Sequence, residues 1–378
     1  MYVARLGEGL IVKRMPNSGS LHAPDCPSYE PPAESSGLGQ VLGSAIAEDP
    51  VTGVTTLRLD FSMAKLGGRP ATPSPGGDGG SAASDGAKLS LRALLHYLWD
   101  QAELTRWQPG FTGRRNWATV RHHLLQAAEN KVARGGALRQ RLYVPEVFAV
   151  ERRDAINARR VAQWMHAAAT PAERQHLMLL IGEVKEIVPA RYGYKAVIKH
   201  VPDQPLALDE TLVRRLGRRF ERELSLWGAS DGLHMIAIAT FGINLAGVPT
   251  VEEMSMMATN AQWIPAEDAF ELQLVDRLVH EGRWFTKGLR YNLAGSTRVA
   301  SATLLDAAGG PCEMVVRRAR DAGAESVPLD EDKVIAGQAP WVWSVCDQVM
   351  PALPPANSGW KRSAASAAVS LADSSWST

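Results

Sequence analysis

Apolar and polar residues alternate from residue 2 to 15, with Val3, Leu6, Leu10, Val12 and Met15 around a Gly-Glu-Gly turn. A period of two predicts a short β-hairpin. "VTTLRLDF" (54–61) reads as another strand. The Gly-, Pro- and Ser-rich run that follows, "KLGGRPATPSPGGDGGSAASDGAK", is too poor in apolar residues to offset chain entropy and predicts a linker. The period then changes to that of a helix. Leu91, Leu94, Leu95, Leu98 and Trp99 follow Ser90, a good N-cap. Trp117, Val120, Leu124 and Leu125 follow Asn116 in a second helix, closed by Gly135. Ile156, Val161 and Trp164 mark a third.

Beyond residue 176 strands dominate. "HLMLLIGEVKEIV", "PARYG" and "YKAVIKHV" read as strand, turn, strand. One long helix is expected over "LDETLVRRLGRRFERELSLW", with Asp209 as its cap. "HMIAIATFGIN" and "TVEEMSMMAT" are neighbouring strands, and "PAEDAFELQLVDRLVHEGR" is a helix with Pro265 near its first turn. "VASATLLD", "CEMVVRR" and "APWVWSV" complete the strands. The class is α+β. The expected organisation is a β-rich module over 1–64, a linker over 65–87 and a helical basic region over 88–170. An α+β domain over 171–350 and a disordered tail over 351–378 follow.

Composition adds three points. No run approaches 18 apolar residues, so no membrane span is expected, and the N-terminus lacks the apolar core of a secretory signal. The three cysteines (Cys26, Cys312 and Cys346) are too few and too scattered for a disulfide framework, which fits a reducing cytoplasm. The formal charge of +1 conceals a basic segment: residues 106–160 hold 12 Lys plus Arg against 4 Asp plus Glu, a surplus of +8, leaving −7 elsewhere. Arg106, Arg114, Arg115, Arg121, Lys131 and Arg134 are therefore candidate phosphate contacts, and the bland alternative is a solvated helix surface. Arg283, Lys287 and Arg290, next to Tyr291, form a second basic and aromatic group.

Catalytic candidates are sparse. Glu183 and Lys185 share a face of a regular strand, and a Glu-x-Lys pair is what a magnesium-dependent nuclease uses to hold the metal and position water. That chemistry also needs an upstream Asp on an adjacent strand, and the one Asp in the sixty residues before Glu183 is Asp154, in a helix, so a salt-bridged surface is the competing reading. Residues 265–316 run helix, strand, strand, which resembles the core of the restriction-endonuclease-like fold. Glu267 or Glu271 on the helix, Asp306 at the far end of the first strand and Glu313 at the start of the second are the candidate carboxylates there. Ser301 stands where active members carry Asp and Val315 where they carry Lys, which implies a degenerate, inactive copy. Magnesium belongs only to the nuclease alternative. Walker A, GxGxxG, GxSxG and HExxH patterns are all missing. His22 and Cys26, four apart on a loop, have the shape of half a zinc site.

Several phrases resemble one bacterial family, domain of unknown function 1173: "HAPDCPSYEPP", "LLHYLWDQAELTRWQPGF", "NWATVRHHLLQAAENK", "LYVPEVF", "HLMLLIGEVKEI", "YKAVIKHVPD" and "EGRWFTKGLRYN". The resemblance runs from the start to about residue 305 and names no activity. It implies residence on integrative and conjugative elements or plasmids, hence DNA or the proteins of such an element as partners. It also implies a Cys-x-Cys pair ahead of the point where this chain begins, which with His22 and Cys26 would make a Cys3His-type zinc knuckle. On that expectation either the start is placed late or the zinc site is incomplete. The reading is a non-catalytic, DNA-associated protein. The alternatives are a metal-dependent nuclease and a protein scaffold.

Overall fold

The computed structural model describes residues 2–6, 9–13, 18–26, 28–65, 86–169, 174–294, 297, 299–318, 339–345 and 349–360. The expected linker falls almost wholly outside these residues, as does the chain beyond 360.

The predicted strands after residue 176 form the largest sheet. Met178–Pro189 pairs antiparallel with His234–Ile243 through its first half and with Tyr194–Ile198 through its second half. Tyr194–Ile198 pairs with Val201–Leu208, which runs parallel to Pro249–Thr259, and Pro249–Thr259 returns to His234–Ile243. Numbered in chain order, these five strands close in the order 1-2-3-5-4-1, with the third and fifth parallel. The helices Glu210–Arg219 and Glu221–Ala229 connect the third to the fourth. This is the connectivity of the OB type of Greek-key barrel. Leu212, Leu216, Phe220 and Leu226 share a core with the inward residues Leu180, Ala196, Leu206, Ala237 and Met256.

Two local devices let one strand serve both halves of the barrel. The pairing of Met178–Pro189 is irregular between Val184 and Glu186, a bulge that bends the strand. Just before it, Gly182 passes so close to the second strand that a Cβ would lie 2.7 Å from Ile198 Cγ2. The barrel wall is apolar on both sides. Leu179, Ile181, Ile236, Ile238 and Met257 pack against the helices Leu91–Gln101 and Trp117–Ala127, so these strands read as unbroken apolar runs.

A second sheet takes its strands in the order Arg106–Trp107, Phe285–Lys287, Ala302–Leu304, Cys312–Arg317, Trp341–Ser344, the last junction parallel. The helix Ala269–His280 covers one face through Leu274, Val275 and Leu278. A third, mixed sheet combines Ile46–Glu48, Thr55–Leu57, Lys131–Ala133 and Gly136–Ala137. The class is α+β, and segments distinguished by composition contribute strands to the same sheets. Residues 349–360 run along the second sheet: Arg283 donates to the Pro354 carbonyl and the Asn357 N–H to that of Asp306.

Three helices differ from their sequence patterns. Asn116 caps its helix as expected, but the helix stops at Ala127. Asn130 adopts φ 55°, which asparagine tolerates, and Lys131–Ala133 pairs with Thr55–Leu57. The long helix after Asp209 breaks at Phe220, whose side chain is fully buried. The helix expected to start near Pro265 begins at Ala269, because Asp268 accepts the N–H groups of Phe270 and Glu271. Among the described residues no helix is long and apolar enough to cross a membrane.

Candidate functional site

Glu183 lies at the bend of the first barrel strand, its side chain 6% exposed. The bulge leaves Lys185 exposed and without a partner in the strand register, so Lys185 does not complete a Glu-x-Lys face. Another lysine does the meeting. Lys199 Nζ donates to Glu183 Oε1 at 2.8 Å from the turn between the second and third strands. His234 Nδ1, at the start of the fourth strand, lies 2.8 Å from the same oxygen. Burial pushes the Glu183 carboxyl up, but the bonds from His234 and Lys199 outweigh it and hold the carboxyl below its ordinary value.

An aromatic stack fixes the imidazoles around this carboxylate. The His234 ring lies flat on Trp263, centroids 3.8 Å apart and planes within 6°. Trp263 meets Trp117 at 5.7 Å, and Trp117 stacks on His200 at 5.5 Å. Both indoles are buried, so they position the imidazoles rather than offer a face to a ligand. Trp263 holds a left-handed φ of 61°, costly for a bulky side chain. Asn260 imposes that turn: its Oδ1 accepts from the N–H groups of Gln262 and Ile264, and its Nδ2 donates to Asp276. The Phe148 N–H donates to His200 Nδ1, and burial pushes the His200 imidazole down. His234 is held to Glu183 through Nδ1, and its side chain is 19% exposed. A carboxylate-oriented imidazole beside an ammonium can move a proton or donate to an anionic oxygen.

The stability of this node follows pH in one direction. A carboxyl whose folded value is depressed stabilises the fold above its ordinary value of 4.5 and loses that contribution as pH falls. Glu183→Gln should cost about 1–2 kcal/mol at pH 7 and almost nothing near pH 3. Thermal melts of both proteins across that range check it; a constant difference would contradict the assignment.

The other carboxylates nominated from sequence do not converge. Glu271 is buried against Lys287 (3.2 Å) and Arg318 (3.7 Å) and accepts the Glu267 N–H. Its neighbours Glu267 and Asp268 pair with Arg290 and Arg318. Burial pushes Glu267 up, but Arg290, Arg92 and Lys287 overcome it and hold the carboxyl at about 2. Asp306 accepts from Arg283 and from the Trp284 N–H at the other end of the strands. Glu313 lies opposite Thr303 and so points away from the face that holds Lys287 and Ala302. Ser301 Oγ accepts the Val316 N–H, and Val315 is buried. Glu271 and Asp306 are neutralised by fixed cations and Glu313 faces elsewhere, a set that does not fit a magnesium centre.

Most of the nominated basic residues hold the fold together. The Arg115 guanidinium donates to the carbonyls of Leu104, Gln262, Glu103 and Arg106 and lies over Trp107 and Phe111. Burial pushes it down to about 10. Arg106 meets the Tyr29 carbonyl, Glu30 and Glu103. Arg121 donates to the Val144 carbonyl and Arg134 to those of Leu59 and Phe61. Lys131 is buried over Tyr97, and Arg283, Lys287 and Arg290 are buried in the pairs above. Arg114 is exposed.

Cys26 Sγ and His22 Nδ1 approach to 3.6 Å. A tetrahedral zinc ion holds sulfur and nitrogen ligands about 3.5 Å apart, so the pair fits one edge of such a site. Among the described residues no group of three or more His, Cys, Asp or Glu is arranged for a metal. Burial pushes the Cys312 thiol up, and Cys346 lies outside the described residues.

The model of a family described as protein of unknown function (DUF1173) matches residues 1–346. The chain belongs to the DUF1173 family. No curated protein and no solved structure matches it.

Four features of the DUF1173 chain were missed from sequence. Lys199 and His234 stand 16 and 51 residues from Glu183, beyond any local motif. Trp263 gave no signal except its turn-forming neighbour Asn260. Arg191 and Tyr192 fall in the "PARYG" turn, where an Arg-Tyr pair is visible as a basic and aromatic unit. Asp100 falls within the helical pattern that begins after Ser90, and nothing local sets it apart.

Proposed function

We propose that this DUF1173 protein associates with DNA, in single-stranded form, without cleaving it. The observation that carries the reading is the rim of the barrel's first hairpin. Tyr192 is 82% exposed at its tip, and the Arg191 guanidinium lies 5.4 Å from the ring. Lys185 and Lys195 are exposed on the strands of the same hairpin, with Lys199 just beyond them. An exposed aromatic among cations is what a base and its phosphate require. Barrels of this connectivity use the loop between strands one and two, with the face of strands two and three, to hold oligonucleotides. Arg152 and Arg153 are also exposed, with Arg153 paired to Asp154 at 3.2 Å. The ion-paired state of Glu271 and Asp306 supports the non-cleaving part. The DNA of a mobile element, in the cytoplasm, is the proposed context.

Anisotropy titration of a labelled single-stranded oligonucleotide tests this. Binding should be measurable at about 50 mM salt and should weaken steeply by about 200 mM. Tyr192→Ala should cost about 1–3 kcal/mol of affinity, the value of one stacked base. No binding at the lower salt, or equal affinity in the variant, would overturn the reading and favour a protein scaffold. Magnesium-dependent cleavage lost in Glu183→Ala would instead establish the nuclease alternative.

A further inference from the structure

Away from the barrel rim, a cleft of about 300 Å³ opens between the loop 30–38 and the uncovered face of the second sheet. That volume lies at the lower end of the range for small-molecule sites. Its lining is polar. Asp100 and Glu103 come from the end of the helix Leu91–Gln101 and the turn after it. Glu30 comes from the loop, Arg106 from the edge strand, and Thr286 and Thr303 from the sheet. Ser35, more than nine-tenths buried in the wall, has a hydroxyl with no hydrogen-bond partner. A buried hydroxyl left without a partner is unusual and calls for an explanation.

The charges of the lining are unevenly matched. Arg106 bridges Glu30 and Glu103 at 3.3 and 3.6 Å. Asp100 has neutral partners: Thr105 Oγ1 donates to it at 2.8 Å and the Tyr291 hydroxyl lies at 3.4 Å. A carboxyl in such surroundings favours a cationic ligand over an anion or an apolar molecule. A divalent metal is disfavoured, because no group of three carboxylate, His or Cys ligands is arranged for one among the described residues.

We propose that this cleft binds a small aliphatic ammonium ion, with Asp100 as its anionic partner and the Ser35, Thr286 and Thr303 hydroxyls beside it. The inference stands independently of nucleic-acid association. Burial, with Glu30 nearby, pushes the Asp100 carboxyl up to about 6, while Thr105, Arg106 and Tyr291 oppose the rise. Tyr97 also lies within electrostatic range, and Glu103 and Lys287 share the cleft, the Lys287 ammonium being held by Glu271 and the Gly288 carbonyl. Binding therefore competes with protonation of Asp100 and is lost as pH falls through that range.

Calorimetric titration of the full chain with putrescine, in the absence of DNA, tests the proposal. Affinity should fall about tenfold between pH 7 and pH 5. Asp100→Asn should abolish binding and its pH dependence. Glu30→Gln should move the pH midpoint of binding downward, since the Glu30 charge helps to raise Asp100; this variant decides the matter if Asp100→Asn does not fold. The proposal is overturned by no binding at millimolar putrescine, by undiminished binding to folded Asp100→Asn, by an unmoved midpoint in Glu30→Gln, or by displacement of putrescine by equimolar magnesium.

Discussion

Lys287→Ala should lower the stability of the folded chain by about 3–5 kcal/mol at pH 7, the cost of breaking a buried ion pair from one side. The Lys287 and Glu271 side chains are 2% and 4% exposed, and Nζ also donates to the Gly288 carbonyl at 2.7 Å. Removing the ammonium leaves the buried Glu271 carboxylate with the Glu267 N–H and the more distant cations Arg318, at 3.7 Å, and Arg290. It also strips a cation from the field that keeps Glu267 ionised. The sign of the pH dependence follows. Glu267 has a depressed folded value, so its favourable contribution exists above its ordinary 4.5 and fades as pH falls toward about 2. The defect in Lys287→Ala should therefore be largest at neutral pH and smaller near pH 3. Urea unfolding at both pH values measures it. A double variant, Lys287→Met with Glu271→Leu, should recover much of the loss, because an apolar pair of similar volume leaves no orphaned charge. A loss below about 1 kcal/mol in the single variant would mean that Arg318, Arg290 and the Glu267 N–H together satisfy Glu271.

That ion-pair network explains why the basic residues were hard to assign from sequence. Lys287 and Arg290 sit in "RWFTKGLRY" beside aromatics, the composition of a phosphate contact, yet both are buried against carboxylates from another element. Sequence shows that a residue is charged; only the chain's three-dimensional path shows whether that charge meets water or a buried partner. The same holds for Arg115, whose guanidinium reaches a backbone carbonyl 147 residues away along the chain.

What was legible was local. Ser90, Asn116 and Asp209 cap their helices as read, because a cap depends only on residues three positions away. The antiparallel pairs around "PARYG" and between "HMIAIATFGIN" and "TVEEMSMMAT" also follow from neighbours in sequence. Barrel closure did not. It depends on the bulge at Lys185, on the close approach at Gly182 and on one parallel contact, Ala207 with Thr250. The bulge also breaks the period of two that makes Glu183 and Lys185 a face. The Glu183 carboxylate meets Lys199, from the turn between the second and third strands, and not Lys185.

The same node supplies the second large effect. Trp263→Ala should destabilise the fold by about 3–5 kcal/mol, the range for removing a large buried aromatic side chain. The indole is 4% exposed, stacks on His234 and meets Trp117. Its backbone makes the comparison with glycine informative. At an ordinary exposed position glycine is the less stable choice, because it gives the unfolded chain more freedom. At φ 61° an alanine Cβ retains the left-handed strain, worth about 1–2 kcal/mol, and glycine relieves it. Trp263→Gly should therefore be more stable than Trp263→Ala, by up to about 1 kcal/mol after the unfolded-state cost. Both variants remove the ring that lies flat on His234. A Gly variant less stable than the Ala variant would show that the turn relaxes once the indole is gone, so that the strain belongs to the ring's packing against His234 and Trp117. The predicted order instead assigns the strain to the Asn260 hydrogen bonds, which fix the turn whatever residue occupies position 263.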